Sequence, residues 1–105
     1  MAIFVKASFL SYRAMALYPF ILIQQDAYRY DRELVQHELI HHRQQLELLI
    51  LPFYLLYAGH YLINLVRFRD NDRAYRHIIF EREAYAMDTD IDYLQRRKYW
   101  AFGKY

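Results

Sequence analysis

Scarcity of glycine and proline is the feature that most constrains the fold of this chain. The 105 residues contain only 2 of each, so there are few residues to build tight turns or long flexible loops. Hydrophobic residues make up 56% and aromatic residues 19%, a composition that excludes disorder and favours a packed interior. A chain of this length supports one hydrophobic core. We therefore expect a single domain over residues 1–105 in which helices dominate.

The first part of the chain is typical of β structure. Residues 4–10 and 14–24 are rich in β-branched and aromatic side chains, and residues 11–13 separate them, which predicts a β-hairpin or ribbon. Pro19 cannot donate to a ladder, so the second segment is expected at a sheet edge. Such an edge could pair with an extended peptide or could simply cover the helices, and the sequence leaves both alternatives open.

Helical periodicity follows. Helices are predicted over residues 32–51, with Asp31 as N-cap, and over residues 53–68 after a break at Pro52. A polar turn then leads to a third helical region that runs to about Arg97. The predicted fold class is α+β and mostly α, with the N-terminal hairpin packed on about three helices. In the third region apolar residues recur at intervals of three or four, which predicts a buried stripe: Phe80, Ala84, Met87, Ile91 and Leu94.

The first predicted helix carries two histidines one turn apart. His37, Glu38 and His41 form the pattern H-E-x-x-H. Positions four apart on a helix differ by only about 40° in direction, so both imidazoles can reach one metal ion. Zinc accepts neutral imidazole nitrogen, and a catalytic zinc site uses three protein ligands and one open position. The chain has no cysteine, so the third ligand is expected to be a carboxylate or another histidine.

Two glutamates at the start of the third helical region are candidates for that third ligand. Glu81 and Glu83 lie where the apolar stripe begins, whereas Asp70 and Asp72 lie in a polar turn that is expected to be solvated. The two glutamates point about 200° apart on a helix, so only one of them can be the ligand. We favour Glu81, because it shares a face with the small residue Ala84, and we expect the other glutamate in an ion pair or a supporting role.

These residues resemble the gluzincin-type zinc metallopeptidases, and especially their single-domain members, the minigluzincins. In that group the H-E-x-x-H helix is followed by a helix with the pattern E-x-E-A, which is similar to Glu81 to Ala84 here. The resemblance implies His37, His41 and Glu81 as zinc ligands, a peptide or protein substrate, and peptide-bond hydrolysis with Glu38 as general base.

Two further features follow from this resemblance. Many members carry aspartate where this chain has Tyr85, a departure that leaves the residue orienting the ligands unassigned. Minimal members are described as latent, with a C-terminal segment covering the cleft. The aromatic tail from Tyr99 to Tyr105 is expected to dock on the domain and is a candidate for a similar role.

The remaining histidines have simpler interpretations. His42 lies on another face of the first helix and is expected to be solvated, whereas His60, in an apolar helix, is expected to be a hydrogen-bonded core histidine. His77 precedes the glutamate helix, and its spacing does not require a position in the cleft. Tyr85 is the candidate phenol that donates to an oxyanion.

Charge and hydropathy limit the choice of partners. The formal net charge is only +2 and the basic residues are scattered, so nucleic-acid binding is not expected. The N-terminus lacks the pattern of a signal peptide, which predicts a cytoplasmic location. The stretch from Leu48 to Val66 approaches the length of a bilayer span, but polar residues and helix breakers interrupt it. A buried helix or contact with a membrane surface is therefore expected instead of a true span.

Two alternatives to a peptidase remain. A non-catalytic zinc-binding helical interaction module would use the same residues in a closed site with four protein ligands, whereas a catalytic site keeps one position open. A metal-free helical domain that binds a partner or a membrane would bind no zinc at all.

Overall fold

The computed structural model of the chain describes residues 2–105 and begins with a small mixed sheet. Strands β1 (Ile3–Lys6), β2 (Ala14–Leu17) and β3 (Phe20–Ile23) lie in the order β1-β3-β2. β2 and β3 form an antiparallel hairpin, whereas β1 runs parallel to β3. The predicted hairpin therefore exists, but it forms within residues 14–24. The prediction that this segment pairs with residues 4–10 as a hairpin was wrong, since those strands are parallel.

Pro19 lies in the turn between β2 and β3, and the Tyr18–Pro19 peptide bond is cis. The missing N–H of Pro19 therefore costs no ladder hydrogen bond, and the following strand β3 can occupy the centre of the sheet. Of the two strands that flank the proline, β2 lies at an edge of the sheet and β3 does not. The prediction of an edge position thus holds for β2 and was wrong for β3.

Two long helices follow a 3-10 helix over Asp26–Tyr30. Helix α1 spans Arg32–Glu47 and α2 spans Leu51–Phe68. The predicted N-cap is confirmed, because the Asp31 carboxylate accepts a hydrogen bond of 3.2 Å from the Leu34 N–H. Pro52 lies in the first turn of α2, where its missing N–H leaves no intrahelical bond unmade.

The predicted third helix is divided into three short ones. Helices α3 (Asn71–Arg76), α4 (Ile79–Met87) and α5 (Tyr93–Arg96) are separated by turns. Ile78 has extended backbone dihedrals and ends the periodicity between α3 and α4. Consequently the predicted stripe is only partly correct, since Phe80 and Ala84 are buried but Ile91 is 66% exposed.

The core forms where α1, α2 and α4 meet. Ile40 packs with Ala84 and Tyr93 in one cluster, and Phe53 packs with Ile78 and Phe80 in a second. Because α4 contributes to both clusters, its position relative to α1 and α2 is fixed on two sides.

The C-terminal tail docks on the domain, as expected. A 3-10 helix over Ala101–Lys104 packs on α4. The rings of Phe102 and Phe80 pack edge to face, with their centroids 4.9 Å apart.

The fold is α+β and mostly helical, as predicted. Within residues 2–105, no helix alone has the length and hydropathy to cross a bilayer. Taken together, α1 and α2 are long and apolar enough to cross a bilayer, but the two helices are bent by 113° relative to each other.

Candidate metal centre

Helix α1 directs both histidines of the H-E-x-x-H pattern towards α4. The Nε2 of His37 lies 3.0 Å from Oε1 of Glu81, and the Nε2 of His41 lies 3.1 Å from the same oxygen. All three residues are buried, with exposed fractions of 3–6%. The structure thus brings together the two histidines and the glutamate that the sequence singled out, in an arrangement able to hold one metal ion.

The second glutamate of α4 has a different environment. Glu83 is fully buried and accepts hydrogen bonds from Arg97, Tyr93 and Gln44. Arg97 is also bound to Glu47 near the end of α1, so Glu83 belongs to a network that joins α1, α4 and the C-terminal segment. Burial alone would raise the pKa of Glu83, but these hydrogen bonds and the charge of Arg97 hold the pKa below its usual range.

Two residues orient the histidine rings, and sequence reasoning had assigned this role to neither. The Nδ1 of His37 lies 3.1 Å from Oδ2 of Asp88, which directly follows α4. The Nδ1 of His41 lies 2.8 Å from Oε1 of Gln44. The amide nitrogen of Gln44 donates to Glu83 and to the carbonyl of Phe80, so its oxygen must be the acceptor.

The contact with the Gln44 oxygen fixes the tautomer of neutral His41, in which Nδ1 carries the proton and Nε2 has a bare lone pair. His37 lies between two carboxylates, and its neutral ring can donate to only one of them, either Asp88 through Nδ1 or Glu81 through Nε2. When Nδ1 donates to Asp88, the Nε2 of His37 also has a lone pair on the side of Glu81. The contact of His41 Nε2 with this oxygen lacks the direction of a hydrogen bond, and within residues 2–105 this buried nitrogen has no hydrogen-bond partner.

The other oxygen of Glu81 is held by a tyrosine. The Tyr57 hydroxyl on α2 donates a hydrogen bond of 2.5 Å to Oε2, so only Oε1 is directed at the histidines. Burial alone would raise the pKa of Glu81, but His41 and His37 hold the pKa well below its usual range. The carboxylate therefore stays anionic at neutral pH.

The contact between Glu81 and His41 also shifts the pKa of His41. Burial alone would lower the pKa of His41, but the charges of Glu81 and Glu38 and the hydrogen bond to Gln44 raise it to about 9. A cation is thus favoured at this position, either a proton on Nε2 or a metal ion.

A cleft of about 840 Å³ opens over this cluster. Glu38, His41 and Glu81 lie at its floor, and Ala14 and Ala16 of β2 line one side. Burial raises the pKa of Glu38, although the two histidines oppose this shift. The rest of the lining is dominated by tyrosines: Tyr12, Tyr54, Tyr57, Tyr61, Tyr75 and Tyr85.

Tyr85 lies in the cleft, as the candidate phenol should. Its ring meets that of His37 edge to face at 4.5 Å, and its hydroxyl donates to the Tyr75 hydroxyl at 3.3 Å. Tyr75 in turn stacks on Tyr12 at 5.9 Å, so aromatic rings from α4, α3 and the loop before β2 meet at the cleft. None of the cleft-lining residues within 2–105 belongs to the tail, which packs on α4 instead. Whether residues 99–105 make the chain latent stays a prediction.

The other histidines lie outside this cluster. His42 is buried, and its Nε2 donates to the carbonyl of Phe20 at 2.8 Å, so the prediction of a solvated side chain was wrong. The helix face that carries His42 is covered by β3. His60 accepts a hydrogen bond from the Ile79 N–H, as predicted, but it is only partly buried and does not belong to the core. His77 is exposed and bonds to the carbonyl of Arg73.

Comparisons of this chain with protein-family models, with curated proteins and with solved structures found no match. The functional inference therefore depends on the geometry of the site and on the chemistry of its side chains.

Proposed function

We propose that this chain is a zinc-dependent peptidase in which His37, His41 and Glu81 hold the metal. The observation that carries the proposal is the convergence of two imidazole nitrogens and one carboxylate oxygen, with separations of 3.0 and 3.1 Å. Ligand atoms around tetrahedral zinc lie about 3.3 Å apart, because each bond is roughly 2.0–2.1 Å long. The unpartnered Nε2 of His41 supports the same assignment, since a cation at this point would use its lone pair.

The number of ligands favours a catalytic site over a structural one. Structural zinc sites in proteins are closed by four side chains, whereas catalytic sites use three and leave one position open. Within residues 2–105 the cluster contains three such side chains, and the cleft opens beside it. These features support the peptidase over a non-catalytic zinc-binding module.

Glu38 is the residue that we assign as general base. When bound, zinc supplies a Lewis acid that polarises a peptide carbonyl and acidifies water. The Glu38 carboxylate lies at the cleft floor beside His41, where it can take a proton from the attacking water and deliver it to the leaving amine. The raised pKa of Glu38 suits this exchange, because the carboxylate of a weaker acid is a stronger base.

The edge strand β2 supports a peptide as substrate. In its antiparallel ladder with β3, alternate residues turn their backbone groups away from the partner strand. Ala14 and Ala16 are these residues, and both line the cleft. The carbonyl of Ala16 is already bound by Gln45 and Tyr54, so Ala14 is the position where an extended peptide could pair.

A metal measurement combined with a cleavage assay tests the proposal. The purified full chain is loaded with zinc, its metal content is determined, and it is incubated with a peptide library read by mass spectrometry. We expect one zinc ion per chain and cleavage of internal peptide bonds. The variant Glu38→Gln should keep its zinc but lose cleavage by about 10²–10⁴-fold, the usual contribution of a general base.

The control is Glu33→Gln, which removes an exposed glutamate from the same helix. This variant should cleave like the unaltered chain. Equal cleavage by the Glu38 and Glu33 variants would overturn the assigned mechanism. A stable 1:1 zinc complex that cleaves no peptide in the library would instead support the structural module.

A further inference from the structure

The outward side of α2 is an uninterrupted aliphatic surface. Its exposed residues include no aromatic or charged side chain until Arg67, near the C-terminal end. The surface extends over a helix about 27 Å long, because each of its 18 residues adds roughly 1.5 Å. We call it the α2 aliphatic face, and its large side chains are Leu51, Leu55, Leu56, Leu62, Ile63 and Val66, each more than half exposed.

The turn before α2 extends this face with strained backbone. Leu49 and Ile50 have φ values of 57° and 32°, a left-handed region that a β-branched residue such as Ile50 rarely adopts. Their exposed fractions are 76% and 38%. Glycine would adopt this backbone conformation without strain. The chain instead has two aliphatic residues there, and both are exposed to solvent.

The composition of the face favours lipid over a protein partner. Protein interfaces are enriched in tyrosine, tryptophan, phenylalanine, methionine and arginine. Aromatic residues make up 19% of this chain, yet those of α2 lie on the inner side, where Phe53, Tyr57 and Tyr61 line the cleft. The large exposed side chains of α2 before Arg67 are leucine, isoleucine and valine, which enter the acyl region of a bilayer at low cost.

Charge at one end of the face complements an anionic lipid surface. From Leu48 to Val66 the sequence contains no acidic residue, and Arg67 and Arg69 follow directly. Within residues 67–76 four arginines outnumber the two aspartates, Asp70 and Asp72. The guanidinium groups of Arg67 and Arg73 both lie over the Phe68 ring, at 5.2 and 4.7 Å from its centroid, so the net charge at the C-terminal end of α2 is positive. Basic residues beside an apolar helix face bind anionic headgroups.

We propose that the α2 aliphatic face, with the turn at Leu49 and Ile50, docks on the surface of a membrane that contains anionic lipid. Helix α2 lies along this surface with its aliphatic side in the headgroup and upper acyl region. Its inner side remains in the domain, where Tyr57 contacts Glu81. The chain is then a peripheral membrane protein whose cleft is held close to the bilayer. This inference is independent of the proposed zinc chemistry.

Vesicle flotation with the full chain tests the proposal. The vesicles are either pure phosphatidylcholine or phosphatidylcholine mixed with phosphatidylglycerol. We expect binding to both, with stronger binding to the mixed vesicles. The double variant Leu55→Gln/Leu62→Gln should lower the partition coefficient by at least about tenfold, since each leucine contributes roughly one to two powers of ten when buried in an apolar phase.

A matched control removes two exposed apolar side chains elsewhere on the chain. Phe9 and Ile91 are 85% and 66% exposed and lie outside α2, so Phe9→Gln/Ile91→Gln should bind vesicles like the unaltered chain. A further variant, Arg67→Gln/Arg69→Asn, should keep binding to phosphatidylcholine but lose the preference for phosphatidylglycerol. Thermal melts of each variant confirm that its fold is intact.

Three outcomes would overturn the proposal. The first is no flotation with either kind of vesicle. The second is equal loss of binding in the leucine and the control variants. The third is a dimer in sedimentation without lipid that the leucine variant converts to a monomer, because the face would then be an interface between two copies of the chain. Each outcome is read without zinc, so none of them depends on the peptidase proposal.

Discussion

The Nδ1 of His37 lies 3.1 Å from Oδ2 of Asp88, a contact that joins the middle of α1 to the residue directly after α4. Both side chains are buried, so water does not compete for this hydrogen bond. The carboxylate holds the ring with Nε2 towards Glu81, the orientation that a metal ligand needs.

Asp88→Asn should therefore weaken zinc binding without removing a ligand. An asparagine side chain fills the same space but lacks the negative charge that supports the imidazole. We expect zinc affinity to fall by about 10–100-fold, the usual effect of losing such a partner. Competition with a chromophoric chelator measures this. The control Asp92→Asn alters an exposed aspartate of the same segment and should leave the affinity unchanged. Equal affinities of the two variants would show that Asp88 does not support the ligand.

The roles of the two glutamates in α4 can be separated by substitution. Glu81→Gln should abolish zinc binding, because the amide offers Oε1 only as a weak neutral donor to the metal. Glu83→Ala should instead lower the free energy of unfolding by about 3–5 kcal/mol, because Arg97 and Tyr93 lose a buried partner. Urea denaturation and zinc titration of both variants measure these effects. Loss of zinc in the Glu83 variant, with zinc retained in the Glu81 variant, would reverse the assignment.

Zinc affinity should increase with pH over the range in which His41 loses its proton. In the metal-free chain the pKa of His41 is raised from 6.5 to about 9, and zinc requires the neutral ring. A proton must therefore leave when zinc binds at pH 7. We expect the apparent affinity to increase by about tenfold per pH unit up to this pKa and then to level off. A zinc affinity that does not change between pH 7 and about 9 would contradict the assignment of His41 as a zinc ligand with a raised pKa.

Stability of the metal-free chain should change in the opposite direction. The pKa of His41 in the folded state lies above its unfolded value of 6.5, so the stabilisation by Glu81 is complete below that pH. It is lost as the pH rises through about 9. With a chelator present, the free energy of unfolding should therefore decrease over this window, whereas the zinc-loaded chain should be spared. Chemical denaturation at a series of pH values checks both trends.

The local part of the site could be predicted from the sequence, and the tertiary part could not. His37, Glu38 and His41 share one helix, so their spacing alone fixes their relative directions. Glu81 required a second helix, and its spacing from the small residue Ala84 was the available signal. Asp88 follows Glu81 by seven residues, two helical turns, and this interval was a signal that sequence reasoning overlooked.

Other misses have tertiary causes. Tyr57 reaches Glu81 from α2, and spacing along the chain gives no information about which of 12 tyrosines faces the metal cluster. His42 was expected in solvent because it lies off the ligand face of α1, but the sheet covers that side and the carbonyl of Phe20 binds the ring. The direction of strand pairing could not be predicted either. The segments before and after residues 11–13 have β character, and this composition is the same for parallel and antiparallel pairing.

Gln45 on α1 is hydrogen-bonded to the edge strand β2 and to the residue after it, and its substitution should loosen the contact between α1 and β2. Its side chain accepts from the Tyr18 N–H at 2.8 Å and donates to the Ala16 carbonyl at 2.9 Å, so it occupies part of the β2 edge. Gln45→Leu leaves the partly buried Tyr18 N–H and the Ala16 carbonyl without their Gln45 partner, and we expect a loss of about 1–3 kcal/mol in the free energy of unfolding. Zinc affinity should be unchanged, because the hydrogen bonds of Gln45 go to Tyr18, Ala16 and Tyr54 and not to the three ligands. The control Gln95→Leu alters an exposed glutamine of α5 and should leave stability unchanged in urea denaturation. Equal stability of the two variants would mean that Gln45 does not hold β2 at the cleft.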